Sequence, residues 1–173
     1  MTVQNWTWER ATDVDEVHDL LCASDTHVTG RYGSPVPVRR RESTDRLVSA
    51  GEVRLLRRNG RAAATFTLTT RAPFSPAWER EIYPPARRAV YLMRLSVRPD
   101  LQTDGSLIGL RCVRKAIEVA ADTGADVLRS ETNPDLTATL QMLFTVGFTQ
   151  YGPILSDEGD RRRRIYLQKD LHP

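Results

Sequence analysis

The run from Tyr91 to Ala120, YLMRLSVRPDLQTDGSLIGLRCVRKAIEVA, constrains the fold more than any other stretch of this chain. It opens with an apolar-rich segment that ends at Val97, turns through Pro99 and a polar stretch holding Gly105, and then repeats apolar residues at helical spacing. A buried strand therefore feeds a helix through a tight turn, and the helix is expected to stop at Gly124. At such a junction the backbone N–H groups face outward at the positive end of the helix dipole, where they can cradle phosphate oxygens. Gly105 is expected to let the backbone come close to such a group.

The flanking sequence fixes the order of the other elements. WTWERA is a short strand, and TDVDEVHDLLCAS is a helix with Thr12 as N-cap and Val14, Val17, Leu20 and Leu21 on one face. A polar, proline-bearing loop from TGRYGS onward precedes a short helix that is capped by Ser43 or Thr44 and stops at Gly51. Asn59-Gly60 between two strand-like runs marks a hairpin. The stretch RAPFSPAWEREIYPPARR, with four prolines, reads as a long loop, and its length suits a wall or lid over a site. ADVLRSET is a strand, LTATLQMLFTVGF is helical up to Gly147, and TQYGPIL and RIYLQKDL are closing strands. The expected order is strand, helix, helix, three strands, helix, strand, helix, two strands. With no repeat, low-complexity segment or linker, residues 1–173 read as one domain.

This order, together with Leu95, Val97, Pro99, Gln102, Gly105 and the later Gly147-Phe148 pair, resembles the GNAT (Gcn5-related N-acetyltransferase) superfamily from Trp6 to Leu171. The resemblance implies an α+β fold, a central mixed, mostly antiparallel twisted sheet of roughly six to seven strands flanked by about four helices. It implies an acyltransferase that takes its acyl group from acetyl-CoA or another acyl-CoA, with no metal. In such proteins backbone at positions matching Leu95, Ser96 and Val97 binds the acyl carbonyl and pantetheine amides, and positions matching Gln102, Thr103, Asp104, Gly105, Ser106 and Leu107 form the phosphate turn. The family pattern has a second small residue where this chain has Leu107. RLSV before the proline, NPDL, and YGP after Gly-Phe are similar to the branch of acyl-homoserine lactone synthases and N-acyl amino acid synthases. There the donor is commonly acyl-phosphopantetheine on an acidic acyl carrier protein, which presents one phosphate and tolerates one glycine fewer.

Aminolysis of a thioester needs a held carbonyl, a stabilised oxyanion, an unprotonated amine and a protonated leaving thiol. The tyrosine that many acetyltransferases of this fold place before Gly-Phe is here Leu143, and the glutamate of the carrier-protein branch is Tyr91, while its arginine is kept as Arg94. Glu131, Tyr91 and Tyr151 are the candidates to refill these roles, with Glu131 as base. Arg94 is a candidate substrate ligand or a structural cation. Asn133 is a candidate contact for the pantetheine arm or simply a turn opener. His27, expected in the loop between the first two helices, falls on the acceptor side of such a fold.

Charge narrows the partners. Lys115 and Lys169 are the only lysines among 25 basic residues, which leaves 23 arginines, clustered at 39–41, 57–58, 87–88 and 161–164. Such clusters are either solvated faces or a surface for an anionic partner, an acidic carrier protein included. Aromatic content of 7%, without interleaving of aromatics and arginines, argues against a nucleic-acid module. No apolar run of about 18 residues and no leader-like amino terminus occur, so the expectation is a cytoplasmic protein with no membrane partner. Cys22 and Cys112 lack the spacing of a zinc or redox pair. The acceptor is expected to be the amine of a small molecule or an amino acid, and the resemblance admits a homodimer. The competing reading is a GNAT-fold binding protein without turnover.

Overall fold

The computed structural model describes residues 4–156 and 163–172. It holds seven strands, β1 (Trp6–Arg10), β2 (Val53–Arg58), β3 (Arg61–Thr69), β4 (Ala89–Val97), β5 (Val127–Thr132), β6 (Thr149–Leu155) and β7 (Arg164–Asp170). Five α-helices accompany them: α1 (Val14–Tyr32), α2 (Arg41–Ser49), α3 (Pro76–Ile82), α4 (Ile108–Asp122) and α5 (Thr137–Thr145). The strands form one sheet in the order β1-β2-β3-β4-β5-β7-β6, in which β4 and β5 run parallel and β1–β2, β2–β3, β5–β7 and β6–β7 antiparallel. The mixed, mostly antiparallel α+β architecture expected from the sequence is therefore present.

Two compact units divide the chain, Met1–Thr67 with Arg94–Cys112, and Leu68–Met93 with Val113–Pro173. In the first, α1 and α2 bury Val17, Leu20, Leu21 and Val48 against Val53 and Leu55 of β2. Asn59 and Gly60 take φ of 52° and 78°, the left-handed pair of a two-residue hairpin, as Asn-Gly dictates. In the second unit Ile82, Tyr83 and Tyr166 form a core with Phe74, Trp78, Tyr151 and Leu155 packed on it.

Three local expectations need correction. The first helix does not end near Ser24; it continues to Tyr32 and closes at Gly33, φ 63°. Late contacts hold the extra turns, since Thr29 Oγ1 donates to Asp25 O at 2.8 Å and Arg39 grips the Asp25 carboxylate. His27 therefore lies within α1 and not in a loop. The N-caps also shift, to Asp13, whose carboxylate accepts from Glu16 N–H, and to Arg40 before α2, so Ser43 and Thr44 are helical. The stretch 71–88 is not a plain loop: Ser75 caps α3 and Pro76 occupies its first turn, where a missing N–H costs nothing.

Candidate active site

In the first unit, β4 ends in an irregular backbone. Arg94 takes φ 52°, a left-handed conformation that non-glycine residues rarely adopt, inside an otherwise extended strand. Ser96 is buried, and Leu95 and Val97 are half-buried. Arg98 pins the strand end to β3, its N–H donating to Ala63 O and its guanidinium to Ala62 O, both at 2.8 Å. After the 3₁₀ turn Pro99–Leu101, Gln102 folds back so that Nε2 donates to Val97 O at 2.9 Å. Gln102 thus braces the strand end against the turn.

The turn itself is built around Asp104. Its Oδ1 accepts from the Ser106 N–H at 2.9 Å and from the Ser106 hydroxyl, and its Oδ2 accepts from Arg58 Nη1 at 2.7 Å. The Ser106 side-chain and backbone hydrogen bonds, followed by Arg58, hold this carboxyl below the usual aspartate range. Gly105 takes φ 75°, and a Cβ there would meet no protein atom within 4 Å. Glycine is thus required by the backbone angle and not by close approach of another part of the chain, and the face it leaves bare is open. Leu107 takes φ 53° and is 67% exposed. The chain therefore follows the left-handed path of a small residue at this position even though leucine occupies it. Helix α4 begins immediately afterwards, with Arg111 N–H bonding to Leu107 O, so the amides ahead of Arg111 have no acceptor within the helix. Arg58 and Arg111 both lie over the Trp6 ring, their guanidinium carbons 5.3 and 5.1 Å from its centroid.

Arg94 reaches α2. Its Nη2 donates to Ser43 Oγ at 2.8 Å and its Nη1 to Thr44 Oγ1 at 3.3 Å. Burial, followed by the charge of Arg39, pushes this guanidinium below its ordinary value, while Asp25 opposes the shift. Asp25 itself is bound to Arg39. Among the described residues, hydroxyls and not a carboxylate are the hydrogen-bond partners of Arg94.

In the second unit a half-open cavity of about 900 Å³ lies over β5 and β7, within the range of small-molecule pockets. Phe74 and Trp78, from the 71–88 stretch, form one wall, and Glu131, Asn133, Arg164 and Tyr166 are among the other lining residues. Register explains the grouping. Glu131 of β5 pairs with Tyr166 of β7, and Tyr166 pairs with Tyr151 of β6, so the three sit in one row across neighbouring strands and share a face. Phe74 and Trp78 meet the Tyr166 ring edge-on at 5.4 and 6.0 Å. Burial raises the Tyr166 hydroxyl above its ordinary value, with the neighbouring Glu131 adding to the shift, while Trp78 and Arg164 oppose it.

Deeper on the same face a separate network fixes the wall. Arg129 is paired to Glu79 of α3 at 2.5 Å, donates to Gln168 Oε1 at 2.9 Å and Pro84 O at 2.7 Å, and lies 4.4 Å over the Tyr83 ring. Tyr91 donates to the same Glu79 carboxylate, and burial together with that bond pushes its hydroxyl up to about 12. Tyr91 is thus placed in the buried network under the wall, whereas Glu131 lines the cavity and Tyr151 stands at the end of its row. Asn133 also lines the cavity while its Oδ1 accepts from Asp135 N–H, an Asx turn ahead of α5.

Tyr166, Trp78, Phe74 and Arg164 were not candidates from sequence. Only the strand insertion of β7 between β5 and β6 brings Tyr166 beside Glu131. Most of the named arginine clusters are engaged in ion pairs: Arg39 with Asp25, Arg41 with Asp15, Arg57 with Glu9 and Glu16, Arg58 with Asp104, and Arg163 with Asp135. Arg161 and Arg162 lie outside the described residues. Among the described residues no three His, Cys, Asp or Glu side chains gather as metal ligands, and no helix is long and apolar enough to cross a membrane.

No family model and no curated protein matches the sequence. Solved structures do match the fold. A GNAT-family acetyltransferase from Streptococcus agalactiae superposes with a TM-score of 0.74 at 13% identity, over 95% of each chain. Ribosomal-protein-alanine N-acetyltransferase from Brucella melitensis gives 0.68 at 16% identity, over 95% of this chain and 99% of that one. The structure of yncA from Salmonella typhimurium with its cofactor acetyl-CoA gives 0.66 at 17% identity, over 98% and 95%. This chain has the fold of the GNAT acetyltransferases.

Proposed function

We propose that this protein is an N-acyltransferase that moves an acyl group from a pantetheine thioester to the amine of a small molecule. The observation that carries the reading is the turn at the head of α4, where Gly105 and Leu107 both take left-handed φ and the amides ahead of Arg111 have no helical acceptor. Such a turn suits a phosphate held by backbone amides, which supports this reading of the donor site. The fold it shares with a structure holding acetyl-CoA supports coenzyme A as the donor.

In the reaction the amine nitrogen attacks the thioester carbonyl carbon, the C–N bond forms, and collapse of the tetrahedral intermediate breaks the C–S bond. The N–H groups of Leu95 and Val97 in the irregular end of β4 are the donors assigned to the acyl carbonyl and pantetheine arm. Glu131 removes the ammonium proton, and its place on the cavity wall suits an acceptor that enters there. The thiolate takes its proton from water, because Leu143, at the position where the resembling acetyltransferases carry a phenol, has no proton to donate.

A second reading of the donor has its own support. Leu107 presents an exposed apolar side chain at the phosphate turn, a contact for an acyl carrier protein that supplies only the pantetheine phosphate. Thermal unfolding with acetyl-CoA, a long-chain acyl-CoA and an acyl-loaded carrier protein separates these donors, since a ligand of the native state raises the melting temperature. Stabilisation by acetyl-CoA supports coenzyme A, and stabilisation by the loaded carrier alone supports the carrier branch. No shift with any of the three sinks the acyltransferase reading and leaves a binding protein.

A further inference from the structure

The cavity over β5 and β7 contains one feature that the acyl-transfer reading does not use. Arg164 lines it, and its Nε is buried without a hydrogen-bond partner among the described residues. A buried guanidinium N–H left unpaired is unfavourable, so such a group is normally compensated by an acceptor. The Nε side of a guanidinium, together with one Nη, is also a face that matches two carboxylate oxygens. Across the same cavity Glu131 offers a carboxylate suited to an ammonium group. Phe74, Trp78 and Tyr166 line the same cavity, Phe74 and Trp78 each meeting the Tyr166 ring edge-on.

We propose that the cavity binds an α-amino acid with an aromatic or large apolar side chain, its carboxylate on Arg164, its ammonium on Glu131 and its side chain against Phe74 and Trp78. The inference rests on the acyltransferase reading for its consequence, because that amino acid is then the acceptor amine. A cavity of about 900 Å³ accommodates such a molecule. A simple amine would leave Arg164 unpaired, and a simple carboxylate would leave Glu131 without its cation, so the arrangement selects for the zwitterion.

The test is binding measured without any acyl donor, by tryptophan fluorescence of the purified protein, with Trp78→Phe as the control for signal origin. L-Phenylalanine, phenethylamine and 3-phenylpropionate are titrated in parallel. The expected result is that phenylalanine binds at least about tenfold more tightly than either analogue, the size of a charge-assisted contact. Arg164→Gln removes the preference over phenethylamine and keeps that over phenylpropionate, and Glu131→Gln does the reverse. Equal binding of phenylalanine and phenethylamine, retention of the preference in Arg164→Gln, or no binding of amino acids at all overturns the proposal. Should Arg164→Gln fail to fold, the wild-type series alone decides. Amino-acid binding without transfer from any thioester would sink the acyltransferase reading and leave this site standing, whereas transfer to phenethylamine as readily as to phenylalanine would do the opposite.

Discussion

Glu131 and Tyr166 face one another across the β5–β7 ladder, and burial, with the Glu131 carboxylate adding to it, raises the Tyr166 hydroxyl above its ordinary value. Burial is the larger cause of that shift. Glu131→Gln should therefore lower the Tyr166 ionisation without returning it fully to the free value. Ultraviolet titration at the tyrosinate band, with Tyr166→Phe to assign the signal, measures it. An unmoved Tyr166 would mean the two groups are not coupled. If Glu131 is the base, the same variant loses about 10²–10⁴-fold in kcat, with its acidic pH limb removed.

Leu107 holds a conformation that costs a leucine about 1–2 kcal/mol relative to the right-handed region. Leu107→Gly removes that strain and adds about 0.5–1 kcal/mol of unfolded-state entropy, so the net effect is a stabilisation of at most about 1.5 kcal/mol. The β-branched Leu107→Val retains the strain and stiffens the side chain, and it should destabilise. Urea unfolding of the two variants checks the sign. Donor binding discriminates further: coenzyme A binding is kept or improved in Leu107→Gly, while binding that depends on the exposed leucine falls.

How far the sequence could be read follows from the range of the interactions involved. Asn59-Gly60 is local, since the residue types themselves select the left-handed angles, and the hairpin stands where it is expected; the left-handed angle of Gly105 is local in the same way. The helix α3 was hidden by its prolines, although Ser75-Pro76 carried a helix-start signal. The reach of α1 to Tyr32 depends on Arg39 closing on Asp25 from a separate segment, which no periodicity reports. Tyr166 is further beyond sequence. Its place beside Glu131 depends on β7 pairing between β5 and β6, and the aromatic wall above it comes from another part of the chain.

Arg129 and Glu79 are an ion pair with side chains only 5% and 19% exposed, and α3 hangs on it. Glu79→Ala leaves the guanidinium buried without its carboxylate and should cost about 3–5 kcal/mol. Replacing both partners by methionine removes both charges and should recover most of that loss. Denaturant unfolding of the single and double variants gives the comparison. Equal losses in the two would show that the pair contributes net stability beyond avoiding an orphaned charge.

Alkaline stability follows from Cys112 and Tyr91. Burial pushes the Cys112 thiol from 9.0 up to about 12, and Tyr91 rises from 10.0 to about 12 through burial and its bond to Glu79. Between the unfolded and folded values the native state binds more protons than the unfolded chain, so stability falls as pH rises. The decline begins near pH 9 with the thiol and steepens above pH 10 as Tyr91 joins together with Tyr83 and Tyr166, whose hydroxyls burial also raises. Each fully titrating group contributes a slope of about 1.4 kcal/mol per pH unit. Cys112→Ala should flatten the decline between pH 9 and 10 and leave the steeper fall above pH 10. Urea midpoints from pH 8 to 11 on both proteins read this directly, and the slopes decide it because the substitution also alters packing at every pH. Identical slopes below pH 10 would show that the thiol ionises as easily in the folded protein as in the unfolded chain.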